Sequence, residues 1–326
     1  MKARSPHAVP QMDSKRAKVW AMDVLADWTD QTRRDFRERI TRTTHNLHTS
    51  PLFSEEAVER LIEIHPREYA DFATMDETGS RSSWKTGDPG KLSGKELIRA
   101  VKSGRLWINL RNLFGIHDEY RALLDQMFEE LQDENPGFHP VRILGGLLVS
   151  SPQAKVPFHM DRTDTMLWHI SGKKRVFVYP HHDEVATDEE REEVLLHAFN
   201  DELVHHPEAE KHAKCFDLEP GEMICWPLHT PHRVENRGTL NISLATEYTT
   251  PEARQLNNAM YFNGVMRRRF GWQPPRIAET QGLNRTVRYV AGALMRKAGV
   301  TVPVETPHEG GYRFEIDPDA PLGVRA

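Results

Sequence analysis

Two side chains that commonly bind metal ions lie two positions apart in this sequence. His159 and Asp161 are separated by one residue in the stretch VPFHMDRTDTMLWHI. Alternate side chains of a β-strand share a face, so a strand here would place an imidazole nitrogen and a carboxylate oxygen side by side. Such a pair supplies two adjacent ligands of a metal site, and a third ligand has to come from another part of the chain.

Two downstream histidines are candidates for that third ligand. His232 precedes the strand-like residues RVEN, and His229 lies three residues earlier in a turn flanked by prolines. Two histidines and one carboxylate on one face of a metal leave the opposite positions open for a cosubstrate and dioxygen, as in the non-haem Fe(II) oxygenases. The spacing alone leaves both histidines open.

A lysine that could bind a cosubstrate follows the two candidate ligands in the sequence. Lys174 lies thirteen residues after Asp161, beyond a turn at Ser171 and Gly172. We predict a hairpin that returns Lys174 beside the strand of His159 and Asp161. A lysine ammonium is a compact positive charge and would suit the distal carboxylate of 2-oxoglutarate. Lys173, the preceding residue, should point the other way.

The surrounding pattern predicts the elements that position these residues. From residue 141 to 250 the chain has short β-branched or aromatic runs, most of them divided by Gly, Pro or polar turns, which predicts a β-sandwich or barrel. Helices are predicted after Ser54, between Ser93 and Gly104, after Asp118 as a cap, and beyond Pro251. The fold class is therefore mainly β with α additions.

We divide the chain into three parts. Residues 1–104 form an N-terminal helical or mixed extension, residues 105–250 form the β-rich core with an acidic insertion at 181–214, and residues 251–326 form C-terminal helices and an irregular tail. The insertion carries eleven acidic against three basic residues, whereas 251–298 carry nine basic against two acidic. These segments are either solvated faces or a field that steers a charged partner.

Composition limits the function classes. The net charge is −5 and 28% of the residues are charged, which argues against nucleic acid as the main ligand. The two cysteines indicate a reducing compartment, and no run approaches the roughly 18 apolar residues of a membrane span. We expect a cytoplasmic protein without a membrane partner. Several histidines of the insertion are more simply read as solvated than as a second metal site: His181, His182, His197, His205, His206 and His212.

Two segments resemble one enzyme family. HMDRTDTMLWHISGKKRVFVYP is similar to the H-x-D…G-x-K-R…P segment of JmjC-type, cupin-like Fe(II)/2-oxoglutarate oxygenases, in particular to asparaginyl hydroxylases of that family. LEPGEMICWPLHTPHRVENRGTLNISLATEY resembles the family's distal metal-binding block. The resemblance covers residues 140–250 and implies a double-stranded β-helix, or jelly-roll, core.

The resemblance also assigns roles. It places His159, Asp161 and His232, not His229, at Fe(II), Lys174 at the 2-oxoglutarate cosubstrate, and Thr165 where an asparagine lies near that cosubstrate. It implies a hydroxylase or demethylase whose coproducts are succinate and CO2, and a homodimer formed through the C-terminal helices.

The sequence departs from the family at four positions. Pro231 replaces an aromatic residue before the distal histidine, and Val156 replaces a threonine that contacts 2-oxoglutarate. Ala245 and Glu247 replace an asparagine and a tryptophan in the last strand. These changes leave the predicted metal ligands and Lys174 in place and alter the surroundings of the substrate.

Three functions are compatible with these sequence features. The first is an oxygenase that acts on a protein side chain, with a small-molecule substrate as the open alternative. The second is a non-enzymatic, metal-binding cupin that serves as a ligand sensor or scaffold. The third is a cupin enzyme of another class, such as an isomerase with three His and one Glu ligand, for which no further His or Glu stands at a suitable spacing near His159.

Overall fold

The computed structural model describes residues 20–80, 83–196, 203–280, 282–302, 313–320 and 322–325. The strands are β1 (Leu25–Asp27), β2 (Thr41–His45), β3 (Ala70–Thr74), β4 (Lys85–Asp88), β5 (Leu106–Leu110), β6 (Arg142–Ser150), β7 (Lys155–His159), β8 (Asp164–Ser171), β9 (Lys174–Val178), β10 (Lys214–Leu218), β11 (Glu222–Cys225), β12 (His232–Asn236), β13 (Asn241–Thr249), β14 (Phe314–Ile316) and β15 (Val324–Arg325).

The helices lie mostly before β6 and after β13. They are α1 (Asp30–Asp35), α2 (Glu55–Ile64), α3 (Gly94–Ser103), α4 (Leu113–Ile116), α5 (Asp118–Glu134), α6 (Asp188–Leu196), α7 (Pro251–Phe270) and α8 (Gly282–Lys297). Among the residues that the structure describes, none of these helices is long and apolar enough to cross a membrane.

Two sheets pack face to face to form the core. The larger has the strand order β1-β2-β11-β8-β13-β6-β5-β3-β4-β14-β15, and the smaller has the order β10-β9-β12-β7. An apolar cluster joins Leu167 and Ile224 of the larger sheet to Val176, Val178 and Val234 of the smaller one. The fold is therefore mainly β with α additions around a jelly-roll core, as the sequence predicted.

The strand β8 is buried on both faces. Its residues Met166, Trp168 and Ile170 pack into the main apolar core, which also holds residues of α2, α3 and α5. Leu167 belongs instead to the cluster between the two sheets. Alternation along the strand therefore turns Thr165, on the same face as Leu167, toward the interior between the sheets.

Local signals placed several helix ends correctly. Ser54 Oγ accepts a hydrogen bond from Ala57 N before α2, and Ser93 forms a capping box with Glu96 before α3. Asp118 was expected to cap α5, but it is the first helical residue, and His117 occupies the cap position without a side-chain bond. That prediction was wrong by one residue.

Two predictions that depended on distant pairing were wrong. The segment 171–174 does not join a hairpin: β8 lies in the larger sheet and β9 in the smaller, where β9 pairs with β10 and β12. The C-terminal tail is not wholly irregular, because β14 pairs in parallel with β4. Phe314 closes over Gly87, where an added Cβ would lie 2.2 Å from the ring.

Strands from both sides of the expected boundary at residue 105 share the larger sheet. Strand β2 pairs with β11, and β3 pairs with β5. The division into three parts therefore stays a prediction. The helices expected after Pro251 are present as α7 and α8.

The acidic and basic segments pair with each other. Arg267 of α7 lies 3.1 Å from Glu192 of α6, and Arg276 lies 2.8 Å from Asp183. Ion pairs across these elements account for part of the charge asymmetry that the sequence shows.

Candidate metal and cosubstrate site

The predicted metal ligands converge where β7 and β12 pair. His159 and His232 are direct partners in this antiparallel ladder, and their ring centroids are 4.1 Å apart. Asp161 follows just beyond the end of β7, with Oδ1 3.8 Å from His159 Nε2 and Oδ2 3.6 Å from His232 Nε2. Each of the three residues offers one donor atom, and these atoms all lie within 4.8 Å of one another.

Backbone carbonyls orient both imidazole rings. His159 Nδ1 lies 2.8 Å from Pro157 O, and His232 Nδ1 lies 3.2 Å from Thr230 O. A carbonyl oxygen can only accept, so each Nδ1 carries the proton and donates it. Each Nε2 then keeps its lone pair and faces Asp161, which is the tautomer that a metal-binding histidine requires.

The carboxylate of Asp161 is incompletely hydrogen-bonded within the described residues. Its Oδ2 is buried and has no hydrogen-bond partner among the described residues. Burying a carboxylate oxygen without a partner is costly, and a divalent cation beside it would remove that cost. Two imidazole nitrogens and one carboxylate suit a first-row transition metal such as Fe(II). The donors present therefore fit such a metal.

His229, the competing candidate, is held elsewhere. It is buried, its φ is 62°, and its Nε2 lies 2.6 Å from Asn257 Oδ1 on α7. Burial lowers the pKa of its imidazole to about 3, so it is neutral near pH 7. His229 therefore connects the turn before β12 to α7.

Lys174 lies inside the core, and Lys173 does not. Lys174 is only 4% exposed and shares a strand face with Val176, which packs between the sheets. Lys173 points outward and lies 3.3 Å from Glu219. Burial alone lowers the pKa of Lys174 to about 7, with no opposing contribution from a carboxylate. The site thus holds a buried amine ready for an anionic partner.

Strand β12 sets the spacing between the candidate ligands and Lys174. His232 pairs with Val178 of β9, and Asn236 pairs with Lys174. Four residues of strand separate these levels by about 13 Å, at roughly 3.3 Å per residue. The stem of Lys174 together with a small dicarboxylate can span that separation.

Sequence reasoning missed His169, a polar residue of the interior. His169 faces inward from β8, with Nδ1 3.1 Å from Ser243 Oγ and Nε2 3.0 Å from Gly172 O. Burial, followed by the nearby Lys174 ammonium, lowers the pKa of His169 to about 3. The available signal was alternation, since His169 lies four residues after Thr165 on the same face. Thr165 itself is buried and pairs with Glu247 of β13.

A cavity of about 710 Å³ reaches Asp161 from outside. Glu247 lies in its wall and accepts a hydrogen bond from Thr163 Oγ1 at 3.0 Å. Burial, and secondly the negative charge of Asp161, raises the pKa of Glu247. The position at which this sequence departs from the family by a glutamate therefore adjoins the candidate metal site.

A second group of possible ligands lies in the acidic insertion. His182, Glu184 and His212 are close together, and the two imidazole rings stack with centroids 4.0 Å apart. His212 Nε2 is bonded to Glu184 Oε2 at 2.8 Å, so this carboxylate already has a partner. His205 and His206 pair with carboxylates of the same insertion, and His197 lies outside the described residues.

We predict that His232→Ala weakens Mn(II) or Fe(II) binding by roughly 100-fold or more, because it removes one of three donors and the loss of an outer-shell partner alone costs about 10–100-fold. His229→Asn is the matched control, since asparagine tolerates a positive φ and should leave the affinity nearly unchanged. Anaerobic calorimetry measures both dissociation constants. Equal losses in the two variants would show that His232 is not a ligand.

Comparison with known proteins places this geometry in a family. The family model for the cupin-like domain matches residues 26–253. The chain is similar to the ribosomal oxygenase YcfD of Escherichia coli, at 16% identity over 84% of this chain and 67% of that chain, with a TM-score of 0.46. A YcfD structure in complex with cobalt and 2-oxoglutarate gives the same identity and coverage and a TM-score of 0.47.

A shorter likeness extends to an oxalate decarboxylase of Bacillus subtilis, at 21% identity over 33% of this chain and 22% of that chain, with a TM-score of 0.23. No curated protein matches the chain significantly. The family match covers well over half of the 326 residues and confirms the cupin-like resemblance found in the sequence. The chain belongs to the cupin-like domain family.

Proposed function

We propose that this protein is an Fe(II)- and 2-oxoglutarate-dependent oxygenase. The observation that carries the proposal is the convergence of His159 Nε2, His232 Nε2 and the carboxylate of Asp161, with Lys174 buried further along the same interior. Fe(II) with 2-oxoglutarate supplies the oxidation of a substrate C–H bond by dioxygen, with succinate and CO2 as coproducts.

Three side chains would bind the metal, and two backbone carbonyls would orient the imidazole rings among them. His159, Asp161 and His232 would hold the metal, and the carbonyls of Pro157 and Thr230 keep the two rings in the required orientation. These bonds fix the donors before any ligand arrives, which lowers the cost of ordering them on binding.

The cosubstrate would lie between the sheets. Lys174 would bind the C5 carboxylate of 2-oxoglutarate, and the Thr165 hydroxyl would donate to the same molecule. Leu167, Val176 and Val178 belong to the apolar cluster between the two sheets. Apolar surroundings that exclude water strengthen the attraction between an ammonium and a carboxylate.

The substrate would enter through the cavity at Asp161. Its volume of about 710 Å³ is within the usual range for ligand sites and also admits a side chain of a polypeptide. By analogy with the family resemblance we propose hydroxylation of a protein side chain, or demethylation where the oxidised carbon is bound to nitrogen.

A metal-binding sensor or scaffold is the second candidate. The observation that favours it is Val156, a half-buried apolar residue of β7 at a position where the resembling enzymes use threonine to contact 2-oxoglutarate. The isomerase alternative lacks support, because among the described residues no fourth His or Glu joins the group of His159, Asp161 and His232.

Turnover without added substrate separates the first two candidates. With Fe(II), 2-oxoglutarate and oxygen, the wild-type protein should release succinate slowly, and Asp161→Ala should release none. Asp217→Asn, an exposed carboxylate paired with Arg175 on the outer face of β10, should retain the wild-type rate. Metal binding without any succinate from the wild-type protein would favour the sensor.

Lys174→Met should weaken anaerobic 2-oxoglutarate binding by roughly 30-fold or more, because it removes one partner of a buried charge pair. In the wild-type protein the affinity should also fall by up to about tenfold per pH unit above pH 7. The reason is that Lys174, with a pKa of about 7, must take up a proton to pair with the carboxylate.

Lys173→Met is the matched control and should keep both the affinity and its pH dependence, because Lys173 is outside the core. Calorimetry in two buffers of different ionisation enthalpy measures the proton uptake at pH 8. Uptake that persists in Lys174→Met would rule out Lys174 as the titrating group.

We also propose a homodimer formed through the C-terminal helices. Helix α8 exposes four apolar side chains at spacings of four, three and four residues, which places them on one stripe: Leu283, Val287, Val290 and Leu294. A glutamate in this stripe would be driven out of a buried interface. Sedimentation velocity should therefore show a wild-type dimer and a Leu294→Glu monomer, and a wild-type monomer at high concentration would contradict the proposal.

A further inference from the structure

The cavity that reaches Asp161 is rich in arginine. Arg142 enters its wall from β6, Arg254 from α7, Arg296 from α8, and Arg162 lies beside Asp161. Four guanidinium groups thus meet two carboxylates, those of Asp161 and Glu247. Asp161 would be committed to the metal, so the described lining carries an excess of positive charge.

Among the described residues, three of these arginines have no carboxylate within 4.0 Å of the guanidinium group: Arg142, Arg254 and Arg296. Arg142 interacts electrostatically with Glu247 beyond that distance. Arg296 lies over the ring of Tyr261 at 4.4 Å and makes one long bond of 3.5 Å to Asn257 O.

Other arginines of the same region behave differently. Arg267 and Arg276, also in the C-terminal segment, each lie within 3.1 Å of acidic residues near or on α6. Those carboxylates are therefore already paired with arginines outside the cavity lining. The charges of Arg142, Arg254 and Arg296 remain available to a partner that enters the cavity.

Repulsion between guanidinium groups in the cavity also favours the binding of an anion. The pKa of Arg296 is lowered by burial and by the nearby guanidinium of Arg162. An anion placed among these groups would offset that repulsion. Guanidinium groups also match the planar oxygen pairs of carboxylates and phosphates.

We propose that the cavity binds a substrate that carries a carboxylate or phosphate group, held by Arg142, Arg254 and Arg296 while another part of the substrate faces the metal ligands. That the bound molecule is a substrate rests on the proposed oxygenase function. That the cavity binds an anion rests on the cavity alone. The net charge of −5 would repel an acidic molecule from most of the surface, so the arginines would select this entrance.

Matched probes test the inference. The first pair is an octapeptide rich in Asp and Glu and its Asn/Gln counterpart, and the second pair is O-phosphoserine and serine. Each is titrated by calorimetry into the full chain with Mn(II) and 2-oxoglutarate in the absence of oxygen. The charged member of at least one pair should bind at least about tenfold more tightly, as expected for charge-assisted hydrogen bonds.

Variants then assign the binding to the cavity. Arg142→Gln, Arg254→Gln and Arg296→Gln should each weaken the charged probe on the order of tenfold, the loss expected when one charge-assisted bond is removed. Arg285→Gln is the matched control, because it removes the same charge from an exposed position of α8 outside the cavity lining. Circular dichroism confirms that each variant is folded.

The outcomes are distinct. Preference for the acidic peptide supports a polypeptide substrate, and preference for O-phosphoserine supports a small acid. Equal binding of charged and neutral probes, or an equal loss in Arg285→Gln, would overturn the inference. Succinate formation is measured separately: turnover without anion preference would reject this inference alone, and arginine-dependent anion binding without turnover would reject the oxygenase function alone.

Discussion

The pairing of β12 with both β7 and β9 is the constraint on which the rest of the site depends. One ladder sets His232 opposite His159, and the other sets Asn236 opposite Lys174. A slip of one residue in either ladder would turn every side chain of β12 to the other face. The same strand thus fixes the candidate metal ligands and their separation from the buried amine.

The charges of the site are arranged by depth. Among the described residues, Lys174 is buried without a carboxylate partner, Asp161 and Glu247 lie together at the candidate metal site, and arginines line the outer cavity. A buried, uncompensated amine destabilises a fold, and this cost is reflected in the lowered pKa of Lys174. Functional sites often retain such costs, because the ligand supplies the missing charge.

Several features were predictable because they depend on local sequence. The opposite directions of Lys173 and Lys174 follow from strand alternation, and the caps at Ser54 and Ser93 follow from helix-end chemistry. Asp161 lies beyond the end of β7, so alternation within that strand does not set its direction. The family resemblance chose His232 over His229. In the structure His229 is bonded to α7, and the role of His232 as a metal ligand stays a proposal.

The remaining features depend on contacts between distant segments. The sequence does not encode locally that β9 joins the sheet opposite β8, or that Phe314 pairs beside Gly87. The arginine cavity was likewise not predictable, because β6 contributes to it from a position more than a hundred residues before the arginines of α7 and α8. Such sites become visible only when the fold brings the segments together.

The most direct test of the account is a crystal structure with Mn(II) and 2-oxoglutarate, with the metal located by its anomalous scattering. We predict one metal at about 2.0–2.3 Å from His159 Nε2, His232 Nε2 and a carboxylate oxygen of Asp161, the usual range for such ligands. We also predict the distal carboxylate of 2-oxoglutarate at the Lys174 ammonium. A metal bound instead by His182, Glu184 and His212, with none between β7 and β12, would contradict it.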